Sequence, residues 1–310
     1  MLSLQTAFAT APTDLGGGSE TTVLFTGDIL LDRGVRRVIE RHGFHALFAD
    51  DSLRSLLKGS LPTGEERGGA HFIVGNLECP ATRIESPAFK RFVFRSEPQW
   101  LDSLRAYGFT HLNLANNHSV DQGRQGLRDT RQNILRAGMT PVGADSTMLA
   151  AARPHRLAGN IFLLASNRLP LESHAYLPDR ESVSQEPLDS LLQRIKILKN
   201  ADSTAVVVVM LHWGAEHRLH PMPQQRVEAH AMIDAGADVI IGHHPHTLQS
   251  TEIYKGKSIF YSIGNFIFDQ QKPLNTRACI VRLRVTKEKT VAEAIPIQIE
   301  RCAPKIEQKK

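Results

Sequence analysis

The chain has 310 residues, a formal net charge of +5, 41% hydrophobic residues and 22% charged residues. These proportions are typical of a globular protein with a full core, and they exclude an intrinsically disordered chain. The basic residues are scattered and no long Lys/Arg run occurs, so we predict no nucleic-acid partner, although a mild positive balance favours an anionic substrate.

The N-terminal residues 1–20 are predicted to be a flexible leader. They lack a basic region followed by an unbroken apolar core, which argues against a secretory signal. No stretch of the chain reaches the roughly 18 apolar residues that a membrane span needs. The three cysteines are odd in number and show no CxxC spacing, as expected in a reducing compartment. We therefore predict a cytoplasmic protein without a membrane span.

Short apolar runs that end at glycine or polar residues predict strands, and longer segments with helical spacing predict helices. The predicted strands are residues 22–26, 70–74, 110–114, 141–143, 160–165, 205–211, 238–241, 247–254, 258–263, 278–285 and, at a sheet edge, 291–299. The predicted helices are residues 32–42, 97–107, 123–137, 188–199 and 223–235. Residues 169–187 are polar, contain three prolines and are predicted to form a loop or lid.

Strands and helices alternate over most of the chain, which predicts a parallel sheet at the centre of an α/β protein. The C-terminal third is rich in strands and predicts a second, more antiparallel sheet. No linker separates the two parts, so residues 21–300 are predicted to form a single domain. Residues 301–310 are predicted to be a short basic tail.

Polar residues of metal-ligand type follow several of these predicted strands. Because ligands of open α/β sheets bind at the carboxyl ends of the strands, residues far apart in sequence are expected to meet there. Seven of the fourteen histidines lie between His212 and His246. Carboxylate, amide and imidazole donors together suit Mn, Zn, Fe or Co. The predicted metal ligands are Asp28, Glu78, Asn117, His212, His244 and His246.

Each residue also has a structural interpretation. Asp28 could cap a helix, Asn76 and Glu78 could be turn residues, and Asn117 could adopt a left-handed turn conformation. His212, beside a tryptophan, could simply be a packed histidine. The joint pattern favours a site, because independent caps and turns need not carry ligand-type residues at five strand ends.

The motifs resemble the CapA family, named for poly-γ-glutamate capsule synthesis and similar to calcineurin-like metallophosphoesterases. The resemblance runs from about residue 22 to about residue 270. It rests on Phe25-Thr26-Gly27-Asp28 with Arg33, Gly75-Asn76-Leu77-Glu78, Asn113-Leu114-Ala115-Asn116-Asn117-His118 with Asp121 and Gly123, His212-Trp213-Gly214, Gly242-His243-His244-Pro245-His246, and Tyr261-Ser262-Ile263-Gly264-Asn265-Phe266.

The resemblance implies a four-layer α/β/β/α sandwich with two mixed β-sheets and a site for one or two divalent metal ions. Two features depart from the ordinary phosphoesterase pattern. Leu30 stands where the first motif would carry a histidine, and Asn76 and Glu78 stand where a bridging aspartate is expected. The CapA branch shares these departures, which are compatible with a weaker or single-metal site.

The leading functional hypothesis is metal-assisted hydrolysis of a phosphoester or a γ-glutamyl amide. Asp28 and His118 are the predicted catalytic residues, with His118 as the general acid or as a contact to the transition state. Arg33, Arg95 and His243 are candidates for binding an anionic small molecule or polyglutamate, although the two arginines could equally be solvated surface charges. The alternative is a non-catalytic, metal-containing binding component of a polymer complex with capsule ligase or export subunits.

Overall fold

A computed structural model describes residues 20–59, 70–171 and 177–307. The predicted leader, apart from Glu20, lies outside these residues. The strands are β1 Thr21–Ile29, β2 His71–Leu77, β3 His111–Asn113, β4 Thr140–Val142, β5 Ala144–Asp145, β6 His155–Ala158, β7 Ile161–Asn167, β8 Ser182–Val183, β9 Val206–His212, β10 Val239–His243, β11 Thr251–Tyr254, β12 Lys257–Phe260, β13 Asn265–Ile267, β14 Arg277–Val285, β15 Thr290–Glu300 and β16 Ala303–Ile306. The helices are α1 Arg33–His42, α2 Asp51–Leu57, α3 Trp100–Ala106, α4 Gly123–Arg136, α5 Met148–Ala151, α6 Leu188–Ala201, α7 Pro223–Asp234 and α8 Pro273–Thr276, and Phe44–Phe48 forms a 3₁₀ turn.

Two mixed sheets make up the centre of the protein. The first has the strand order β16-β15-β14-β1-β2-β3-β4, and β13 pairs with the end of β1. The second has the order β11-β12-β10-β9-β7-β6, while β5 and β8 form a separate ribbon. In the first sheet β1 to β4 are parallel and the antiparallel strands β14 to β16 lie on one side of them. In the second sheet the parallel strands are flanked by antiparallel strands at both edges. The strands β14 to β16 of the strand-rich C-terminal third therefore extend the first sheet, and the prediction that this third forms a second, more antiparallel sheet was wrong.

The side chains of β9 show why the sheets are stacked. One alternating set packs against the first sheet, and it consists of Val206, Val208 and Met210. The other set packs with residues of helices α6 and α7, and it consists of Val207, Val209 and Leu211. A strand that is apolar on both faces must be covered on both faces. A third apolar cluster lies between the first sheet and helices α1 to α4. The predicted α/β sandwich with two mixed sheets is confirmed.

Several local predictions differ from the structure. The strand β15 is not at the sheet edge, because β16 pairs with it from within the predicted basic tail. The short strand β8 lies within the predicted loop 169–187 and pairs with β5; residues 172–176 of that loop lie outside the described residues. Helix α2 was not predicted. These elements are two to seven residues long, so they carry too little periodicity to be recognised.

None of the helices in the described part of the chain combines the length and the apolar character that a bilayer crossing requires. The three cysteines are free and buried.

Two histidines meet between the sheets, away from the strand ends that carry the predicted ligands. The rings of His111 on β3 and His155 on β6 are 4.9 Å apart in an edge-on contact. Burial, with a smaller contribution from His155, lowers the pKa of His111 to about 3. Burial also lowers the pKa of His155. The fold therefore holds both rings in their neutral form.

This pair predicts sensitivity to acid. Because the pKa of His111 is lower in the folded chain than in the unfolded chain, its neutral form stabilises the fold above pH 6.5, and this stabilisation is lost as the pH falls towards 3. Between pH 7 and pH 5 we expect His111 to contribute a loss of about 2 kcal/mol to the free energy of unfolding. Urea unfolding at pH 7 and at pH 5 measures this difference in the free energy of unfolding.

In that experiment, His111→Asn should reduce the difference between the two pH values, whereas the exposed control His42→Asn should leave it as in the wild type. Equal pH dependence in all three proteins would contradict the assignment.

Candidate metal centre

The carboxyl ends of strands from both sheets meet at one place. Asp28 on β1 is in register with Asn76 on β2 and with Asn265 on β13. In the second sheet, His212 at the end of β9 is in register with His243 at the end of β10. The sheets are stacked so that these ends lie together, and the structure thus brings together residues that are up to 237 positions apart (Asp28 to Asn265).

Glu78 lies at the centre of this arrangement. Its side chain is 0% exposed and neither carboxylate oxygen has a hydrogen-bond partner. The Oε1 atom is 3.5 Å from His212 Nε2 and 3.7 Å from His246 Nε2. Burial raises the pKa of Glu78 well above its usual value. A buried carboxyl group without a partner is costly, and a bound cation would remove that cost.

Glu78, His244 and His246 each offer a ligand atom, and these atoms lie within 4.8 Å of one another. Burial, followed by the charge of His246, lowers the pKa of His244 to about 3. Burial and the neighbouring histidines hold the pKa of His212 well below its usual value. Both imidazoles are therefore neutral, the form in which histidine binds metal. The donor set fits a divalent cation.

Asp28 holds His246 in place. Its Oδ2 lies 3.2 Å from His246 Nδ1 and accepts the backbone N–H of His244 at 3.3 Å, while Oδ1 accepts from Asn76 Nδ2 at 2.7 Å. Burial alone would raise the pKa of Asp28, but the hydrogen bond and charge of His246 lower it. Asp28 thus contacts a candidate ligand directly. It does not cap helix α1, whose N-cap is Asp32.

The pKa of His246 is shifted in the opposite direction from that of Asp28. Burial would lower its pKa, but the charge of Glu78 and the hydrogen bond to Asp28 raise it to about 9. A positive charge is therefore favoured between these two carboxylates. A divalent cation would satisfy the same requirement more strongly, which supports the fit.

Asn117 and His212 face each other across the two sheets. The Nε2 atom of His212 is 2.9 Å from Asn117 Oδ1, and its Nδ1 atom is 3.3 Å from Asn76 Nδ2. Asn117 does not adopt the left-handed conformation that its structural interpretation required. Asn76 and Glu78 are fully buried at the end of β2, which is inconsistent with exposed turn residues.

The segment from His243 to His246 has an unusual backbone. His244 and His246 have φ angles of +93° and +53°, a region that side chains other than glycine rarely adopt. Asn275 donates to the backbone oxygen of His246 at 2.8 Å, and Asn265 Oδ1 lies 3.0 Å from His246 Nδ1. Strain of this kind persists where the surroundings over-determine it, and it is concentrated at functional sites.

His118 lies at the rim in a turn after β3. Its Nδ1 atom is 2.8 Å from Asp121 Oδ2, and its ring lies 4.4 Å from the ring of Phe94. Burial lowers the pKa of His118, although Asp121 opposes this effect. Since Asp121 engages Nδ1, Nε2 remains as the atom that can meet a substrate.

The three predicted substrate-binding residues have different surroundings. The guanidinium of Arg33 pairs with Asp269 and lies 4.9 Å from the ring of Phe94 and 5.5 Å from that of Phe268, which in turn packs on His246. Arg95 pairs instead with Glu85 and Glu97. His243 is 0% exposed and its Nε2 atom lies 3.2 Å from the carbonyl oxygen of Thr26.

The family described as "Bacterial capsule synthesis protein PGA_cap" matches residues 22–270. The chain belongs to this family. It is 31% identical to the capsule biosynthesis protein CapA of Bacillus anthracis over 97% of this chain and 73% of the relative. It is 30% identical to the PGA biosynthesis protein CapA of Bacillus subtilis (strain 168), over 90% and 72%.

A third relative, from Mycobacterium tuberculosis, is named "Probable polyglutamine synthesis accessory protein" and is 29% identical over 83% of this chain and 76% of the relative. The resemblance inferred from the motifs is therefore confirmed for the family.

Sequence reasoning missed Lys90, whose side chain is only 4% exposed and pairs with Asp121 at 2.6 Å. It also missed Asn275, which holds the backbone of His246. Neither residue follows a predicted strand, so the signal that identified the other candidates is lacking. Lys90 lies in a loop between Phe89 and Phe92, and nothing in this local sequence indicates that its side chain is buried.

The unpaired carboxyl group of Glu78 makes a prediction about stability. We expect Glu78→Gln to change the stability of the metal-free chain by no more than about 1–2 kcal/mol, because removing a buried acid without hydrogen bonds offsets the lost attraction to His246. The variant should also lose any thermal stabilisation by Mn²⁺ or Zn²⁺. Thermal unfolding after chelator treatment, with and without each ion, measures both effects.

Glu186→Gln is the matched control. Glu186 is also buried but it pairs with Arg194 at 2.8 Å. Its substitution should destabilise the chain while leaving the response to metal intact. If Glu78→Gln kept the full metal response, Glu78 would not be a ligand.

Proposed function

We propose that this protein is a metal-dependent hydrolase of capsule-polymer metabolism, acting on a phosphoester or a γ-glutamyl amide. The observation that carries the proposal is the buried carboxyl group of Glu78, which has no hydrogen-bond partner, beside neutral imidazoles of His212 and His244. Such a set of donors suits a divalent transition metal more than it suits a structural core.

The proposed ligands are Glu78, His244 and His246, with Asp28, Asn117 and His212 adjoining them. Divalent metal bound there would supply Lewis-acid stabilisation of negative charge and an activated water. Asp28 and Asn265 orient His246 through its Nδ1 atom, and Asn76 links Asp28 to His212. These contacts correspond to the outer-shell hydrogen bonds that usually orient metal-binding histidines.

His118 is the proposed general acid. Asp121 engages the ring at Nδ1, which leaves Nε2 for the substrate, and the doubly protonated imidazolium form of His118 can donate its Nε2 proton to the leaving group. Such a donor serves an alkoxide leaving from phosphorus and an amine leaving from a carbonyl equally well. The two proposed substrate classes therefore share one arrangement of protein groups.

Arg33 is the proposed anchor for the anionic part of the substrate. Its guanidinium lies against the rings of Phe94 and Phe268, the second of which packs on His246, and its side chain is 33% exposed. A guanidinium can bind a phosphate or a carboxylate in bidentate fashion. Both a phosphoester and a polyglutamate chain carry such groups.

We also propose a cytoplasmic location and an association with capsule ligase or export subunits. The three free, buried cysteines support a reducing compartment. The names of the Bacillus relatives support a role in capsule or polyglutamate synthesis.

A second candidate function is a non-catalytic binding component of the same pathway. It is favoured by the "accessory" role in the name of the Mycobacterium relative and by Leu30, which is fully buried where the ordinary phosphoesterase pattern has a histidine. In this case the site would bind metal and polymer without turnover.

Kinetics of metal-loaded protein distinguish the two functions. The wild type should hydrolyse a nitrophenyl phosphodiester or a γ-glutamyl anilide, and chelator should abolish this activity. His118→Gln should lower kcat by about 10²–10⁴-fold while leaving bound metal unchanged, because a proton donor is removed and the candidate ligands remain. Elemental analysis and steady-state kinetics measure both quantities.

The control is His230→Gln, since His230 lies on helix α7 and stacks on Tyr254. It should retain wild-type kinetics. A metal-loaded wild type that binds polyglutamate but turns over neither substrate class would instead support the binding component.

A further inference from the structure

Lys90 is a buried lysine at the rim of the candidate centre. Its side chain is 4% exposed and pairs with Asp121, which is 0% exposed, at 2.6 Å. Its ammonium also donates to the backbone oxygen of Asn117 at 3.1 Å and lies 3.3 Å from His118 Nδ1. One side chain thus contacts three residues of the turn that carries the proposed ligand Asn117 and the proposed acid His118.

Asp121 divides its two oxygens between these partners. Oδ1 faces Lys90, whereas Oδ2 faces His118 Nδ1 and accepts the backbone N–H of Phe94 at 2.8 Å. The orientation of the carboxylate therefore depends on both oxygens being engaged. If Lys90 is removed, Oδ1 is left buried without a partner, and rotation of the carboxylate would release His118.

The loop that carries Lys90 is attached to the same turn. Ala88 donates its backbone N–H to the oxygen of Asp121 at 2.8 Å, and Ser86 donates to Gln122 Oε1 at 3.0 Å. Gln122 Nε2 in turn donates to the oxygen of Phe94 at 3.2 Å. These hydrogen bonds hold the loop against the turn without any contribution from the Lys90 side chain. Closing the loop therefore does not explain why the Lys90 charge is buried.

We propose that Lys90 is a positioning residue that fixes the His118 ring through Asp121 and the Asn117 backbone by a direct hydrogen bond. A buried ammonium is unfavourable unless it is paired and hydrogen-bonded. The partners of Lys90 all belong to the turn that carries the proposed ligand Asn117 and the proposed acid His118. This inference rests on the proposed hydrolase function for its effect on rate, but its effect on the His118 ring is independent of that function.

The test compares Lys90→Met with Arg91→Met in the full-length protein. Arg91 is the matched control, because it is exposed and its guanidinium lies 5.0 Å from the ring of Phe92. In metal-loaded protein, Lys90→Met should lower kcat by about 100-fold and leave KM within about threefold, since the loss is in alignment and not in binding. Arg91→Met should leave both constants unchanged.

The second readout needs no substrate. In a long-range ¹H–¹⁵N spectrum of the imidazoles, with the His118 signals assigned by their loss in His118→Gln, the wild type should show the Nδ1-protonated tautomer. Lys90→Met should convert these signals to a mixture of tautomers, and Arg91→Met should not. A protein that merely lost stability would keep the wild-type tautomer while folded.

If Lys90→Met does not fold, Lys90→Gln replaces it, because the amide can still donate to Asp121; a kcat loss of about tenfold is then expected. A folded Lys90 variant with wild-type His118 signals and wild-type kcat would overturn the inference. If the wild type hydrolyses nothing, the proposed function fails, and the imidazole spectrum still decides the role of Lys90.

Discussion

The buried carboxylate of Glu78 is the constraint on which the site depends. A carboxylate that is 0% exposed and lacks a hydrogen-bond partner is unfavourable unless positive charge is brought to it. Imidazoles from the second sheet surround Glu78. Among them, His246 has a pKa that the carboxylates of Glu78 and Asp28 raise to about 9. The polar contacts of Asp28, Asn76 and Asn265 then serve to orient those imidazoles.

This arrangement requires neighbouring backbone segments to approach closely beside the site, β1 to the start of β13 and β10 to the end of β12. A Cβ atom on Gly27 would lie 2.1 Å from the carbonyl oxygen of Gly264, and one on Gly242 would lie 1.9 Å from that of Tyr261. No other residue fits at these two positions. Gly27 directly precedes Asp28 and Gly242 directly precedes His243, so each glycine allows the next residue to reach the site. The left-handed backbone at His244 and His246 is a further consequence, since the segment must turn within a few residues to aim both rings at Glu78.

Much of this could be predicted from the sequence, because apolar runs mark the strands and polar residues mark their carboxyl ends. The convergence of Asp28, Glu78, Asn117, His212, His244 and His246 follows from that rule and the parallel order of the central strands. What the rule could not predict depends on loops and on packing. Arg95, a candidate for substrate binding or a surface charge, pairs with Glu85 and Glu97, and Lys90, which no sequence pattern singles out, is buried against Asp121. Partners brought together by loops leave no periodic signal in the sequence.

Leu30 occupies the position where the ordinary phosphoesterase pattern carries a histidine. Its side chain is fully buried in the apolar cluster between the first sheet and the helices, so it packs in the core and offers no donor to the site. Asp28, without an imidazole two residues further on, contacts His246 instead, and the donors are concentrated around Glu78 on the side of the second sheet. A centre with fewer ligands on the β1 side gains more from groups that align the substrate and the leaving group. In the proposed hydrolase, the tightly held turn of Asn117, His118 and Asp121, with Lys90 against it, would supply such alignment, which would account for the buried lysine charge.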